Sequence, residues 1–104
     1  MAFKVKLSAE LPDFKLPVKF NTPSGDEAEI VFTAKHKPTS EITEMLKTPG
    51  ITNQEVVSGF TNGWDLEDEF NVENVKRLVD IYPAVVVALT HEYMLSMAGN
   101  RTKN

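Results

Sequence analysis

The sequence contains no cysteine, which excludes disulfide bonds, thiolate metal ligands and a thiol nucleophile. Only two arginines are present, Arg77 and Arg101, and no basic stripe exists to neutralise the phosphates of a nucleic acid. The longest apolar run, residues 84–89, is far shorter than the roughly 20 residues of a membrane helix. Charged residues interrupt the first thirteen positions, so no signal peptide is predicted. These absences predict a cytoplasmic protein that binds neither nucleic acid nor membrane.

The 104 residues have the composition of one globular domain, with 41% hydrophobic and 25% charged residues. We expect a single domain over 1–104, with a β-rich part at 1–37, a helical part at 38–99 and a flexible tail at 100–104. The net charge is −4. Residues 53–104 supply all of it, because they hold four basic and eight acidic side chains.

Three segments of the first part alternate apolar and polar residues, which is the pattern of half-buried strands. They are residues 3–7, residues 14–20 and residues 28–36. Pro17 cannot donate a backbone hydrogen bond, so its strand is predicted to lie at a sheet edge or to be bulged. Turn-forming residues at 21–26 predict a hairpin between the second and third strands.

The helical part begins after the third strand, where the apolar spacing changes from two to three or four residues. Thr39 or Ser40 is expected to cap a helix that runs to about Leu46. Residues 52–55 have the Thr-x-x-Glu pattern of a capping box, which predicts the start of a second helix. We expect that helix to end near residues 62–63.

Two further helices are predicted. Asn71 is expected to cap a helix over residues 72–81, Pro83 to start the last helix, and Gly99 to end it. Strands followed by helices indicate an α+β fold, with an N-terminal antiparallel β-hairpin or three short strands and a C-terminal unit of three or four helices. The last helix is predicted to bury Val86, Leu89, Tyr93 and Met97, with Val85, Ala88 and Met94 widening that face.

Four of the five residues 65–69 are acidic, which raises the question of a cation site. A calcium loop starting at Asp65 would have Phe70 where glycine makes the turn and Lys76 where a bidentate glutamate is required. No metal site is therefore predicted. Two interpretations stay open: solvated acids placed before a helix, where the helix dipole favours them, or an acidic surface that faces a partner.

Catalytic motifs are missing from the sequence. His36 and His91 lie too far apart for the paired histidines of a zinc protease, and Ser58 lacks the Gly-x-Ser-x-Gly frame of a nucleophile elbow. No cofactor and no enzymatic activity are predicted. A small hydrolase that uses two carboxylates brought together by the fold stays open as a third possibility.

The order of residues from position 56 onward, which begins with Val56-Val57-Ser58-Gly59-Phe60, resembles that of a known family. Gly63-Trp64-Asp65 is followed by Asp68-Glu69-Phe70, Glu73-Asn74, Leu78 and Tyr82-Pro83-Ala84, then by Tyr93 and an Asn-Arg-Thr-Lys-Asn tail. This pattern is similar to that of the tail assembly chaperones of long-tailed bacteriophages and prophages. The likeness extends over most of the chain and is most specific over residues 59–84.

The resemblance implies a non-enzymatic role in phage tail assembly. Such chaperones coat the tape-measure protein, help to recruit tail tube subunits, and are not expected in the mature virion. The implied partners are the tape-measure protein, the tail tube protein, a longer frameshifted form of this chain and possible further copies of the chain itself. The implied location is the cytoplasm of an infected or lysogenic bacterium.

Tape-measure proteins are long amphipathic helices, so a chaperone needs an apolar cleft to hold them. We expect such a cleft among the predicted helices at 52–62, 72–81 and 83–98. Methionines would let it adapt to varied segments, although the more usual role of methionines, and of aromatic residues such as Trp64, Phe70 and Tyr93, is to fill the core. The candidate partner-binding residues are Trp64, Asp65, Asp68, Phe70, Tyr82, Met94 and Met97.

A second hypothesis is a structural subunit of the tail or tube that is retained in the particle. The strands at 14–20 and 28–36 would then add to the sheet edge of a neighbouring subunit. Mass spectrometry of purified particles distinguishes the two, since only a structural subunit is retained in stoichiometric amounts.

Overall fold

A computed structural model of the protein describes residue 2, residues 4–7 and residues 10–99. Within these residues the chain forms a three-stranded antiparallel sheet and four helices, which confirms the predicted α+β class. In chain order the elements are β1 (Phe14–Asn21), β2 (Glu27–Ala34), α1 (Thr39–Lys47), α2 (Asn53–Phe60), β3 (Thr61–Trp64), α3 (Val72–Ile81) and α4 (Ala84–Met97).

Strands β1 and β2 form the predicted hairpin, paired continuously from Phe14 opposite Ala34 to Asn21 opposite Glu27. The connecting turn has Gly25 at φ +91°, a conformation that glycine adopts without steric cost. The sheet order is β1-β2-β3, so Pro17 lies in an edge strand, as its missing N–H predicts. The alternating pattern of β1 places its apolar side chains on the buried face of the sheet.

The third strand lies at a different place in the chain from the one predicted. The described residues 4–7 form no strand, and Leu7 is fully exposed; Phe3, which belongs to the same prediction, lies outside the described residues. Strand β3 occupies the second side of β2 instead. The two free edges of this sheet within the described residues are β1, where Pro17 offers no N–H, and the short β3 of four residues, so residues 4–7 lack a good partner strand.

Strand β3 also replaces the predicted end of the second helix. Helix α2 ends at Phe60, and residues 62–63 are part of β3 rather than a helix terminus. Gly63 lies opposite Thr33, and a Cβ atom at Gly63 would come within 3.3 Å of the Thr33 hydroxyl oxygen. The glycine therefore permits a close approach of two strands instead of ending a helix.

The helix starts agree with the sequence at three of four places. At α2, Thr52 and Glu55 form the full capping box, and at α3 the Asn71 side chain accepts a hydrogen bond from the Asn74 backbone N–H. Pro83 immediately precedes α4 as predicted. The predicted cap of α1 is wrong, because Pro38 takes the N-cap position and no side chain caps the helix.

Helix α4 buries most of the predicted face, which is shifted slightly around the helix. Val85, Leu89 and Tyr93 are buried as predicted, and Ser96 is buried as well. Val86 and Met97 are only half-buried against the core, and the prediction is wrong for Met94, which is 43% exposed. The reason is that α4 has apolar residues around its whole circumference, so their spacing does not define which face is inward. Gly99 follows the helix at φ +90°, as expected of a terminating glycine. The predicted flexible tail at 100–104 lies outside the described residues.

Tyr93 joins α4 to the sheet and to α2. Its buried ring stacks on Phe60 with the ring centroids 4.2 Å apart. Its hydroxyl donates to the Lys35 carbonyl oxygen at 2.6 Å and accepts from the Lys37 backbone N–H at 3.2 Å. Burial raises the pKa of this hydroxyl above its ordinary value of 10.0; the Lys37 N–H opposes that shift and the charge of Glu41 adds to it.

Candidate functional site

The acidic segment, residues 65–69, is folded onto the sheet and the start of α3 by hydrogen bonds. The Asp65 carboxylate accepts from the Val31 backbone N–H at 3.0 Å, which fastens the segment to β2. The Trp64 indole N–H donates to the Asp68 carbonyl oxygen at 2.7 Å. The Asn74 side-chain amide donates to the backbone carbonyl oxygen of Glu69 at 2.7 Å. These bonds give the segment a defined shape beside α3.

Trp64 is held by two other aromatic rings. Phe70 meets it edge-on with the ring centroids 5.0 Å apart, and Phe32 lies tilted beneath it at 6.4 Å. Phe32 is fully buried, whereas Trp64 and Phe70 are half-buried and pack against the core. The indole therefore has one side fixed by the core and another available at the surface.

A pocket of about 110 Å³ opens between this aromatic group and α3. We call it the Trp64 pocket. Its lining combines apolar side chains with a rim that carries one carboxylate and one guanidinium. The lining residues are Trp64, Leu66, Asp68, Asn74, Arg77, Leu78, Ile81 and Tyr82.

A second pocket of about 190 Å³ lies next to the first, over the end of the hairpin. We call it the Phe20 pocket. The Phe20 and Tyr82 rings meet edge-on there at 6.0 Å. The two pockets share Leu66, Leu78 and Tyr82, so they are adjacent, and we call the pair the cleft. The other lining residues of the Phe20 pocket are Phe20, Thr22, Ala28, Glu29 and Ile30.

The elements that wall this cleft differ from the expected ones. The residues that line it come from the hairpin, the acidic segment with Trp64, α3 and the residue that follows α3. Neither α2 nor α4 contributes a lining residue to the two pockets. These two pockets therefore do not lie among the three predicted helices, because the sheet supplies one of their walls, and a cleft among those helices stays a prediction.

The structure brings together some of the seven predicted partner-binding residues and separates others. Trp64, Asp68 and Tyr82 line the cleft, and Phe70 supports Trp64 from the side. Asp65 is turned toward β2. The two methionines lie apart from the cleft, since Met94 is on the exposed side of α4 and Met97 packs against the core. A partner-binding role for all seven stays a prediction.

Several cleft residues were not identified from the sequence. Ile81 is the clearest, because it lies outside the apolar stripe of α3, is 49% exposed and still forms part of the pocket wall. An apolar side chain outside the stripe of its helix is a sequence signal that could have identified Ile81 as a surface contact residue. The contribution of Phe20 and Ile30 depends on how the hairpin packs against α3, which no local pattern reports.

The histidines and acids do not assemble into a metal centre among the described residues. No group of three or more His, Cys, Asp or Glu side chains there has the arrangement needed to hold an ion. His36, half-buried just after β2, lines a separate pocket of about 520 Å³ together with Leu11 and Glu41. The chemistry that the described surface offers most clearly is apolar contact at the cleft.

No single helix in the described part of the chain is both long enough and apolar enough to cross a membrane. Helices α3 and α4 reach the required length and composition only when counted together, and the chain bends by 107° between them.

Comparison with known proteins identifies the family. No curated protein and no solved structure matches this chain. A family model described as phage tail assembly chaperone matches residues 1–104, which is every residue of the sequence. The resemblance carried by residues 59–84 is thereby confirmed, and the chain belongs to the phage tail assembly chaperone family.

Proposed function

We propose that this chain binds the tape-measure protein of its phage through the cleft, keeps that protein soluble and helps to recruit tail tube subunits. The role is non-enzymatic and needs no cofactor. It takes place in the cytoplasm of the infected or lysogenic bacterium, and the chain leaves before the virion is complete. The observation that carries the proposal is an apolar two-pocket cleft in a chain whose whole sequence matches the tail assembly chaperone family.

The size of the cleft fits side chains of a helix better than a metabolite. Its two pockets, about 110 and 190 Å³, are comparable to a cavity of about 150 Å³ that accepts one benzene ring. Each pocket therefore suits a single aliphatic or aromatic side chain. Two such side chains three or four residues apart on an amphipathic helix lie on the same face and can enter adjacent pockets together.

The polar rim of the cleft would set the orientation of a bound helix. Asp68 and Arg77 border the Trp64 pocket, and Glu29 borders the Phe20 pocket. Charged residues flanking the apolar face of a bound helix would meet these groups at the edge, where they set register and association rate more than affinity. The negative balance of residues 53–104 would also keep many chaperone copies apart on one long partner.

The test is co-expression with the tape-measure protein of the same phage. We expect the tape-measure protein to be soluble with this chain, insoluble without it, and to elute with it as a complex. An Ile81→Gln variant should weaken the complex, because Ile81 is a half-exposed part of the pocket wall. Val72→Gln is the matched control, since Val72 lies on the same helix, is 52% exposed and does not line either pocket.

Three results would contradict the proposal. Equal solubility of the tape-measure protein with and without this chain would contradict the proposed chaperone role. Equal loss of binding in the Ile81 and Val72 variants would show that the cleft is not the binding site. Stoichiometric retention of the chain in purified particles, measured by mass spectrometry, would favour a structural tail subunit instead.

The longer frameshifted form is proposed as a further partner. We expect the gene to lie between those for the tube and tape-measure proteins and to overlap a second reading frame. Mass spectrometry of infected cells should detect a C-terminally extended product that shares the sequence of this chain. If the overlapping frame is closed by stop codons directly after the gene, this part of the proposal fails.

A further inference from the structure

The two walls of the cleft carry charges of opposite sign. One wall is α3, and among the described residues Arg77 is the one that brings a charge from this helix to the lining. The other wall consists of the acidic segment and the hairpin, which contribute Asp68 at the Trp64 pocket and Glu29 at the Phe20 pocket. A ligand that lies along the cleft therefore meets a cation on one side and carboxylates on the other.

The charges beside the Trp64 pocket are available to a ligand. Within the described part of the chain, neither the Asp68 carboxylate nor the Arg77 guanidinium forms a hydrogen bond or an ion pair with another residue. Both side chains are exposed. Asp68 supports the local fold through its backbone carbonyl oxygen, which accepts from the Trp64 indole N–H. The two charges therefore do not neutralise one another and can each pair with a group of a partner.

A helix bound in the cleft places one flank against each wall. In a helix with apolar residues at positions a and d of a heptad, the flanks of the apolar face are positions e and g. Turning the helix end for end exchanges the walls that these two flanks meet. Opposite charges on the walls therefore favour one direction of the helix, in the way that charges at e and g set orientation in coiled coils.

We propose that the cleft selects the direction of the helix it binds, with the acidic flank of that helix along Arg77 and its basic flank along Asp68 and Glu29. The inference rests on the proposed function, because it concerns the same cleft, and it specifies which segments the cleft takes. Such a segment has apolar residues three or four positions apart, Asp or Glu on one flank and Lys or Arg on the other. A segment with the same charge on both flanks meets a like charge at one wall.

Trp64 makes the direction of a bound helix measurable. It is the only tryptophan of the sequence, and it lines the Trp64 pocket but not the Phe20 pocket. A nitroxide attached to a peptide quenches indole fluorescence at short range. The two ends of a helix of about 14 residues lie about 20 Å apart. Quenching therefore reports which end of the bound peptide lies beside Trp64.

Two model peptides of identical composition are the probes. Each spans about two heptads, has leucine at a and d, contains no tryptophan and carries the nitroxide at its N-terminus. One has Glu at e and Lys at g, and the other has these exchanged. We expect both to bind, in opposite directions, because two or three exposed ion pairs favour one direction by about fivefold. The nitroxide should quench Trp64 strongly in one peptide and weakly in the other, and moving it to the C-terminus should reverse that order.

A chain with exchanged wall charges tests the assignment to these residues. Asp68→Lys combined with Arg77→Glu should abolish or reverse the difference between the two peptides, since only Glu29 keeps its sign. Glu67→Lys combined with Lys76→Glu is the matched control. It makes the same changes of charge on the same two elements, at exposed residues that line neither pocket, and should leave the difference intact. Far-UV circular dichroism confirms that both variants are folded.

Salt distinguishes charge from shape as the cause of the difference. At about 1 M salt the Debye length is about 3 Å, so exposed ion pairs are largely screened. The difference in quenching between the two peptides should then shrink, while the apolar contacts keep both peptides bound. A difference that salt leaves unchanged would mean that the shape of the cleft selects the direction, which overturns the inference.

Other results would also overturn it. Equal quenching by two bound peptides would mean that the cleft holds a helix without selecting its direction, and the proposed function would stand. The same conclusion follows if the Asp68 and Arg77 exchange leaves the difference intact, or if the control exchange abolishes it. If neither peptide binds while the tape-measure protein still elutes with the chain, this inference is wrong and the proposed function stands. If the direction is selected but the tape-measure protein is not kept soluble, the proposed function fails instead.

Discussion

Helices α3 and α4 are neighbours in the chain and differ in how they meet solvent. The outward side of α3 carries charged residues such as Glu73, Lys76 and Asp80, while that of α4 carries the uncharged side chains of Val87 and Met94. Both helices have a well-packed inner side. The outward side of α3 therefore has the charged surface that is typical of a helix in contact with solvent, and the cleft lies beside it. The outward side of α4 lacks that charge and is suited to contact with another protein.

The largest expected effect comes from comparing the two sides of α4. Leu89→Ala should lower the free energy of unfolding by about 2–5 kcal/mol, because Leu89 is fully buried and its loss leaves a cavity. Val87→Ala, two positions away and largely exposed, should change it by no more than about 0.5 kcal/mol. Urea denaturation at low protein concentration measures both. Equal losses would mean that the exposed side of α4 at Val87 also supports the fold of the single chain.

Tyr93→Phe is expected to have the next largest effect. The change keeps the ring that stacks on Phe60 but removes the hydroxyl that contacts Lys35 and Lys37. The Lys35 carbonyl oxygen and the Lys37 N–H then lose a partner in a part-buried site, which should cost about 1–3 kcal/mol. Thermal unfolding measures the loss. An unchanged stability would show that water replaces the hydroxyl without penalty.

Asn71→Ala tests the start of α3 and should lower stability by about 1 kcal/mol. The Asn71 side chain accepts from the Asn74 backbone N–H at 2.8 Å, and alanine cannot. Asn71→Ser is the control, because a serine hydroxyl can accept the same bond. Denaturation of the two variants should separate them; if they are equally destabilised, the cap is not the cause.

The smallest expected effect concerns Glu55 in the capping box of α2. The backbone N–H of Thr52 and then its hydroxyl donate to this carboxylate and lower its pKa below the ordinary value of 4.5. The unfolded chain therefore binds the proton more readily, so this contribution to stability is complete above pH 4.5 and is lost as the pH falls through the lowered value. Helix α4 has no such side-chain cap.

Glu55→Gln removes the titrating group, so the difference in unfolding free energy between the natural chain and this variant should shrink as the pH is lowered below 4.5. Glu44→Gln, at an exposed position in α1 outside the capping box, is a control for the general loss of one charge. A difference that stays constant with pH would contradict the assigned role of Glu55.

Local features of the fold were predictable because each depends on a few neighbouring residues. The hairpin follows from two alternating runs around a turn, the capping box from Thr52 and Glu55, and the α3 cap from Asn71. The class of the fold follows from the order of these elements. The family was recognisable from the residues between Gly59 and Ala84, a conclusion that the match over the whole chain confirms.

The predictions from sequence that were wrong concern features that depend on contacts between distant parts of the chain. The alternation of residues 4–7 is compatible with a strand but does not say whether a neighbouring strand has a free side. The residues of β3 are too few to show a period. The inward face of α4 and the walls of the cleft are decided by tertiary packing, and the apolar spacing of α4 fits more than one face.

Strand β3 has a consequence for synthesis of the protein. Trp64 pairs with Phe32, so the sheet stays incomplete on the ribosome until the chain has grown well past the hairpin and through two helices. Until then the nascent hairpin exposes the unpaired side of β2, and its apolar face with Leu16, Val18 and Phe20 stays uncovered for longer, until α4, which packs on β1, has emerged. Because these contacts join distant parts of the chain, the risk of misfolding lasts until α4 has emerged.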